Sequence, residues 1–167
     1  FKQKLLRALR SSNISKRIEE AIEDKLRLEN IGKIKRAHRQ LKKKVLSDKF
    51  SPATKHKKYI FLTEGLSASG SLKQVRDSES EAIYALRGKV KNVHKLSELV
   101  SSKEWVELMG ILGIEPGGNR ITPYEKIIIA SDSDEDGYHI SSLIVNFFYT
   151  WFPEIIKSKK LFFLYFR

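Results

Sequence analysis

The chain contains no cysteine. It therefore has neither a disulfide framework nor thiolate chemistry, which suits a reducing compartment such as the cytoplasm. It also has no unbroken apolar run near the roughly 20 residues of a membrane-spanning helix, so no membrane role is expected. No secretory signal pattern is visible at its start. The chain begins at Phe1 rather than methionine and stops at Arg167 directly after an apolar run, and it is expected to be a piece of a longer protein. Its 167 residues suffice for one α/β domain with an appendage.

Acidic residues are scarce in one part of the chain only. Residues 1–58 hold 19 Lys and Arg against 6 Asp and Glu, whereas residues 59–167 hold 13 against 14. The entire net charge of +12 thus lies before Tyr59. A basic segment beside a near-neutral domain points to a polyanion partner, most simply nucleic acid. A solvated, lysine-rich helix face is the plainer reading of the same charge.

Within the basic part, Ile14, Ile18, Ile22, Leu26, Ile31, Ile34, Leu41 and Val45 recur at largely helical spacing. They predict a basic helical segment over 1–46, either one helix or two with a joint near Asn30-Ile31-Gly32. The apolar stripe is narrow and needs a partner to bury it. Residues 47–58, with Ser51-Pro52, read as a linker. Residues 59–167 then form the main domain.

That domain is organised around Ile127-Ile-Ile-Ala-Ser-Asp132-Ser-Asp134-Glu-Asp136-Gly137. The β-branched run reads as a buried strand, the aspartates as the loop at its carboxyl end, and the pattern from about Tyr138 as a helix. Ile140, Leu143, Ile144, Phe147 and Phe148 would share that helix's inner face. Ligands in open α/β sheets bind at the carboxyl ends of strands. Clustered carboxylates repel one another unless a cation sits among them, and hard oxygen donors suit Mg2+, Mn2+ or Ca2+. A solvated turn is the bland alternative. A helix–loop–helix calcium loop is not: position 12, counted from Asp132, is Leu143 instead of glutamate, and a strand precedes the loop.

Tyr59-Ile-Phe-Leu-Thr63 predicts the first strand, leading into Glu64-Gly65 and a helix through about Arg76. If this strand and the aspartate strand are neighbours, Glu64 and the acidic loop meet at one edge. Gly65-Leu-Ser67-Ala-Ser69 comes near a nucleophile elbow but lacks its last glycine, and nothing places His94 or His139 beside it. Glu81–Leu86 predicts a second strand, followed by the cationic turn Arg87-Gly88-Lys89-Val90-Lys91-Asn92. Such cations can meet phosphate oxygens or simply be solvated. One or two helices follow between Leu96 and Leu112, with Trp105 as packing. Pro153 ends or kinks the aspartate helix, and Leu161–Tyr165 closes the domain as a strand. The pattern βαβαβαβ implies a mostly parallel four-stranded sheet flanked by helices.

Glu64-Gly65 after one strand, with Asp132-Ser-Asp134-Glu-Asp136-Gly137 after a later one, resembles the two halves of the Toprim site of topoisomerases, primases and some nucleases. Glu64-Gly-Leu-Ser-Ala-Ser-Gly-Ser-Leu-Lys73-Gln is similar to the E-G-D-S-A-G-G-S-A-K-Q signature of bacterial gyrase and topoisomerase IV B subunits. Ala85-Leu-Arg87-Gly88-Lys89-Val-Lys-Asn92-Val resembles their P-L-[KR]-G-K-x-x-N-V. Ser131 to Ile140 resembles T-D-A-D-x-D-G-x-H-I, and Phe147-Phe-Tyr and Pro153-Glu-Ile have counterparts too. Leu66 replaces the usual aspartate and Ala85 the usual proline, and the family's P-P-L-Y-like segment after the last strand is missing from this sequence. Gyrase, topoisomerase IV and phage or mobile-element enzymes all remain open on these residues.

The resemblance implies a Rossmann-like Toprim fold, truncated at its C-terminal end, after the tail of a transducer-like region. It implies part of an ATP-dependent type II DNA topoisomerase, with ATP bound outside this chain. Glu64 and Asp132 would be catalytic, and Glu64, Asp132, Asp134 and Asp136 would hold Mg2+, with Mn2+ or Ca2+ as substitutes. Lys73, Arg87, Lys89 and Asn92 would contact DNA. Double-stranded DNA is the implied substrate. An A-type subunit would supply the nucleophilic tyrosine, in an A2B2 heterotetramer or an equivalent homodimer; none of the six tyrosines here matches that motif. Another Toprim enzyme, such as a primase or an OLD-type nuclease, and a non-catalytic basic DNA-binding module are the alternatives.

Overall fold

A computed structural model describes residues 16–26, 29, 32, 49–86 and 90–166. Residues 16–26 are helical and exposed, with Ile18, Ile22 and Leu26 each more than half accessible. Most of the predicted basic helical segment over 1–46 lies outside the described residues.

The domain alternates strands and helices. In chain order they are β1 (Phe50–Ser51), β2 (Tyr59–Glu64), α1 (Gly65–Val75), β3 (Glu81–Leu86), α2 (Leu96–Ser101), α3 (Lys103–Leu112), β4 (Lys126–Asp132), α4 (Glu135–Trp151), α5 (Pro153–Lys157) and β5 (Leu161–Phe166). The sheet order is β1-β3-β2-β4-β5. Only β1 runs antiparallel to its neighbour. The expected α/β, mostly parallel architecture holds, but the sheet has five strands rather than four. The additional strand falls within the expected linker over 47–58, where Phe50 and Ser51 pair with Tyr84 and Ile83. Two residues are too few to carry an alternating pattern. The guanidinium of Arg76 fixes this edge by donating to the carbonyls of Ser51, Pro52 and Glu81. The chain up to Lys58 is held to the turn at Ser78–Ser80 by backbone hydrogen bonds.

Both faces of the inner strands β3, β2 and β4 are covered, as a parallel sheet requires, whereas Phe162 to Tyr165 of the edge strand β5 are exposed. Ile60, Leu62, Tyr84, Ile127 and Ile129 face α2–α5 and form the main core with Trp105, Leu108, Phe147 and Phe152. Ile83 and Ala130 face the other way, with α1 contributing Leu72. Trp105 lies at the centre of the larger core and is wholly buried. Its ring stacks on Phe147 with centroids 4.2 Å apart, and its indole N–H donates to the Lys91 carbonyl at 2.9 Å. It is packing, as its position in the sequence suggests.

Trp105→Ala removes a buried aromatic from this stack and leaves the Lys91 carbonyl without its donor. It should lower unfolding stability by about 3–5 kcal/mol in urea denaturation. A loss under about 1 kcal/mol would show that the stack is not the anchor of the core.

Candidate functional site

β2 and β4 are adjacent and parallel, in a register that pairs Thr63 with Ala130. Glu64, the last residue of β2, therefore lies at the same sheet edge as Asp132, the last residue of β4. The strand bodies that carry them are buried, which leaves the two ends no freedom to separate. Gly65, immediately after Glu64, has φ +73°, a left-handed conformation open to glycine at little cost. It turns the chain from β2 directly into α1.

The aspartates are not all in a loop. α4 starts at Glu135, three residues before the predicted start, because Asp134 caps it: its carboxylate accepts from the Gly137 amide at 2.7 Å. Asp136 consequently sits in the first helical turn, where the partial positive charge of the helix end favours a carboxylate. A Cβ at position 137 would collide with the Asp132 carbonyl, so only glycine lets the helix start pack against the strand end. Behind the loop, the buried hydroxyls of Ser131 and Ser141 bond at 3.1 Å and tie β4 to α4.

Asp132, Asp134 and Asp136 are exposed, and Glu64 is half-buried. The Glu64 carboxyl is held above its usual range, first by burial and then by the charges of Asp134, Asp136 and Asp132. The four carboxylates thus form one electrostatic group. Among the described residues, no three acidic or histidine side chains form a ready-made metal cage. The donor set nevertheless fits a hard divalent cation: four carboxylates share one sheet edge, open to the water and substrate oxygens that Mg2+ normally retains. Beside Asp132 opens a groove of about 480 Å3, lined by Ser67, Ser71, Val75 and Phe166 among others.

Lys73 is in the last turn of α1, about 12 Å along the helix from Gly65, and is exposed. Asn92 is bound to Asn146 of α4, its side-chain oxygen accepting at 2.7 Å. Arg87 and Lys89 lie outside the described residues. The Ser69 hydroxyl donates to the Leu66 carbonyl, a local bond that gives no support to a nucleophile elbow. Nothing in the sequence singles out Ser131 and Ser141 as a pair; small polar residues ten apart carry no pattern of their own.

The Toprim domain family model matches residues 59–165, which contain both halves of this acidic edge. The chain belongs to the Toprim family. It is 44% identical over 108 residues to the B subunit of DNA topoisomerase 4 from Caulobacter vibrioides, covering 62% of this chain and 16% of that protein. It is 37% identical over 152 residues to the B subunit of the type 2 topoisomerase from Aquifex aeolicus, covering 84% and 19%. The DNA gyrase B subunit of Caulobacter vibrioides is 39% identical over 107 residues, covering 60% and 13%. The chain therefore spans less than a fifth of the length of each of these relatives.

Two outcomes test the geometry of this Toprim edge. Gly137→Ala should displace the Asp132 carbonyl and reduce Mn2+ binding at least tenfold in calorimetry; unchanged binding would show that the close approach is dispensable. In metal-free buffer, the raised Glu64 carboxyl contributes stability that is present below its unfolded pKa of about 4.3 and lost as pH rises through its folded value. Glu64→Gln should therefore melt higher than wild type at neutral pH, with the difference vanishing below about pH 4. A gap that does not change with pH would contradict the charge grouping.

Proposed function

We propose that this chain is the Toprim portion of the B subunit of an ATP-dependent type II DNA topoisomerase, and that it provides the acidic half of a double-strand cleavage and religation site. The observation that carries the reading is the pairing of β2 with β4, which brings Glu64 to the same edge as Asp132, Asp134 and Asp136. Similarity to topoisomerase 4 and gyrase B subunits across this same stretch supports it.

In this reading Glu64 and Asp132 would hold the catalytic Mg2+, and Asp132 and Asp134 would hold a second, more structural ion. Bound there, Mg2+ would supply Lewis-acid stabilisation of charge on the phosphate and the leaving oxygen. Glu64 would also serve as general acid–base in religation. Asp136, fixed at the start of α4, supports the loop. Asn92, with Arg87, Lys89 and Lys73, orients the duplex through its phosphates and base edges. The nucleophilic tyrosine comes from an A-type subunit in an A2B2 assembly or its single-chain equivalent. ATP binds elsewhere in the whole protein, which acts in the cytoplasm.

The test is a cleavage and relaxation assay on the full-length protein reconstituted with its A-type partner. Glu64→Ala or Asp132→Ala should reduce both activities at least a hundredfold while preserving the circular dichroism spectrum. Normal relaxation by either variant would overturn the site assignment. DNA binding by this chain that ignores Mg2+ and survives loss of Glu64, together with normal relaxation, would favour a non-catalytic binding module.

A further inference from the structure

The end of the sheet opposite the acidic edge carries a row of lysines. Lys58 precedes β2, Lys126 opens β4 and Lys160 precedes β5, and these three strands are neighbours in that order. The backbone amides of Lys126 and Ile127 donate to the carbonyls of Lys58 and Lys160, so the three lysines lie side by side. At a strand spacing of about 4.8 Å, their backbones span about 10 Å. Lys57 and Lys159 adjoin the row and are exposed.

Several of these side chains are positioned by neighbours. The ammonium groups of Lys58 and Lys126 lie over the ring of Tyr59 at 5.2 and 5.5 Å, and Lys126 also lies over Phe162 at 4.9 Å. Lys57 lies over Tyr124 at 5.8 Å. Lys160 donates to the Thr122 and Tyr124 carbonyls. Lys159 has φ +53°, a conformation uncommon for any residue but glycine, asparagine or aspartate. Four carboxylates share this end of the sheet: Glu79 is paired with Lys55, Asp77 feels the charges of Lys55 and Lys58, Glu81 opens β3 opposite Tyr59, and Glu125 precedes Lys126.

We propose that this row is a second contact surface for duplex DNA, gripping the phosphate backbone at the amino end of the sheet. One DNA strand carries a phosphate about every 3.4 Å of axis, so a row of about 10 Å faces about three of them. Lysines act there as point charges, so the contact carries no base preference. Positioned ammonium groups lose less conformational freedom on binding. An anionic membrane would also require apolar anchors reaching beyond the charges, whereas the rings here lie beneath them. The surface does not depend on the acidic edge or on cleavage.

The test is fluorescence anisotropy of the full 167-residue chain with a labelled duplex of about 30 base pairs across a salt series. Lys57→Gln/Lys58→Gln/Lys126→Gln/Lys159→Gln should weaken binding at least tenfold at low salt. It should also reduce the slope of log K against log salt by about 2–4, at about 0.9 for each phosphate no longer neutralised. The matching Lys→Arg set should retain the wild-type slope. The exposed single variants Lys57→Gln and Lys159→Gln should each remove about 0.9, which keeps the test readable if the quadruple variant unfolds. Unchanged slopes overturn the proposal. Equal loss in the arginine set would make the row structural and also overturns it. So would lost binding to phosphatidylserine vesicles with DNA binding intact.

Discussion

The pairing of β2 with β4 is the constraint on which the site depends. Glu64 and Asp132 are far apart in the chain, and only the parallel register makes them neighbours. The strands behind them are buried on both faces, so the carboxylates cannot relieve their repulsion by moving the backbone. Burial and that repulsion together hold the Glu64 carboxyl above its usual range. A fold that needed only stability would place neutral groups here. Holding like charges together at a solvent-facing edge favours whatever positive charge can enter between them.

The acidic turn inherits its shape from the core. α4 is anchored by Phe147 and Phe148, and Phe147 stacks on the buried Trp105 of α3. Its start is fixed against β4 by the Asp134 cap, the Ser131–Ser141 hydroxyl pair and the absence of a Cβ at Gly137. One oxygen of the Asp134 carboxylate accepts from the Gly137 amide, and this cap does not use the other. Capping fixes the side chain before any ligand arrives, so less ordering is left for binding to supply.

Much of this was legible in the sequence because the informative signals are local. The run Ile127–Ala130 reads as a buried strand, and Glu64-Gly65 reads as the turn from β2 into a helix. The Toprim resemblance rested on ordered motifs spread through the domain, and the family match covers the same span. What escaped was contextual. β1 has two residues and gains its identity from β3 and Arg76. The early start of α4 follows from a side-chain cap that makes a run of acidic residues helical where composition reads as loop. The Ser131–Ser141 bond exists because the helix returns over its own strand, a fact of packing invisible at a spacing of ten.

Charge shows the same limit most clearly. A division of the sequence at Tyr59 assigns the whole basic excess to the part before it. Folding redraws that boundary, since Lys57 and Lys58, from the basic part, join Lys126, Lys159 and Lys160, from the near-neutral part, at one end of the sheet. The acidic residues of the site collect at the other end. Roughly six or seven strand residues separate the two ends by about 20 Å, more than twice the screening length at physiological salt. The two fields therefore neither cancel nor govern one another. A polyanion can approach the basic end without first meeting the carboxylates of the acidic edge, and a cation can enter that edge without competing against the lysines.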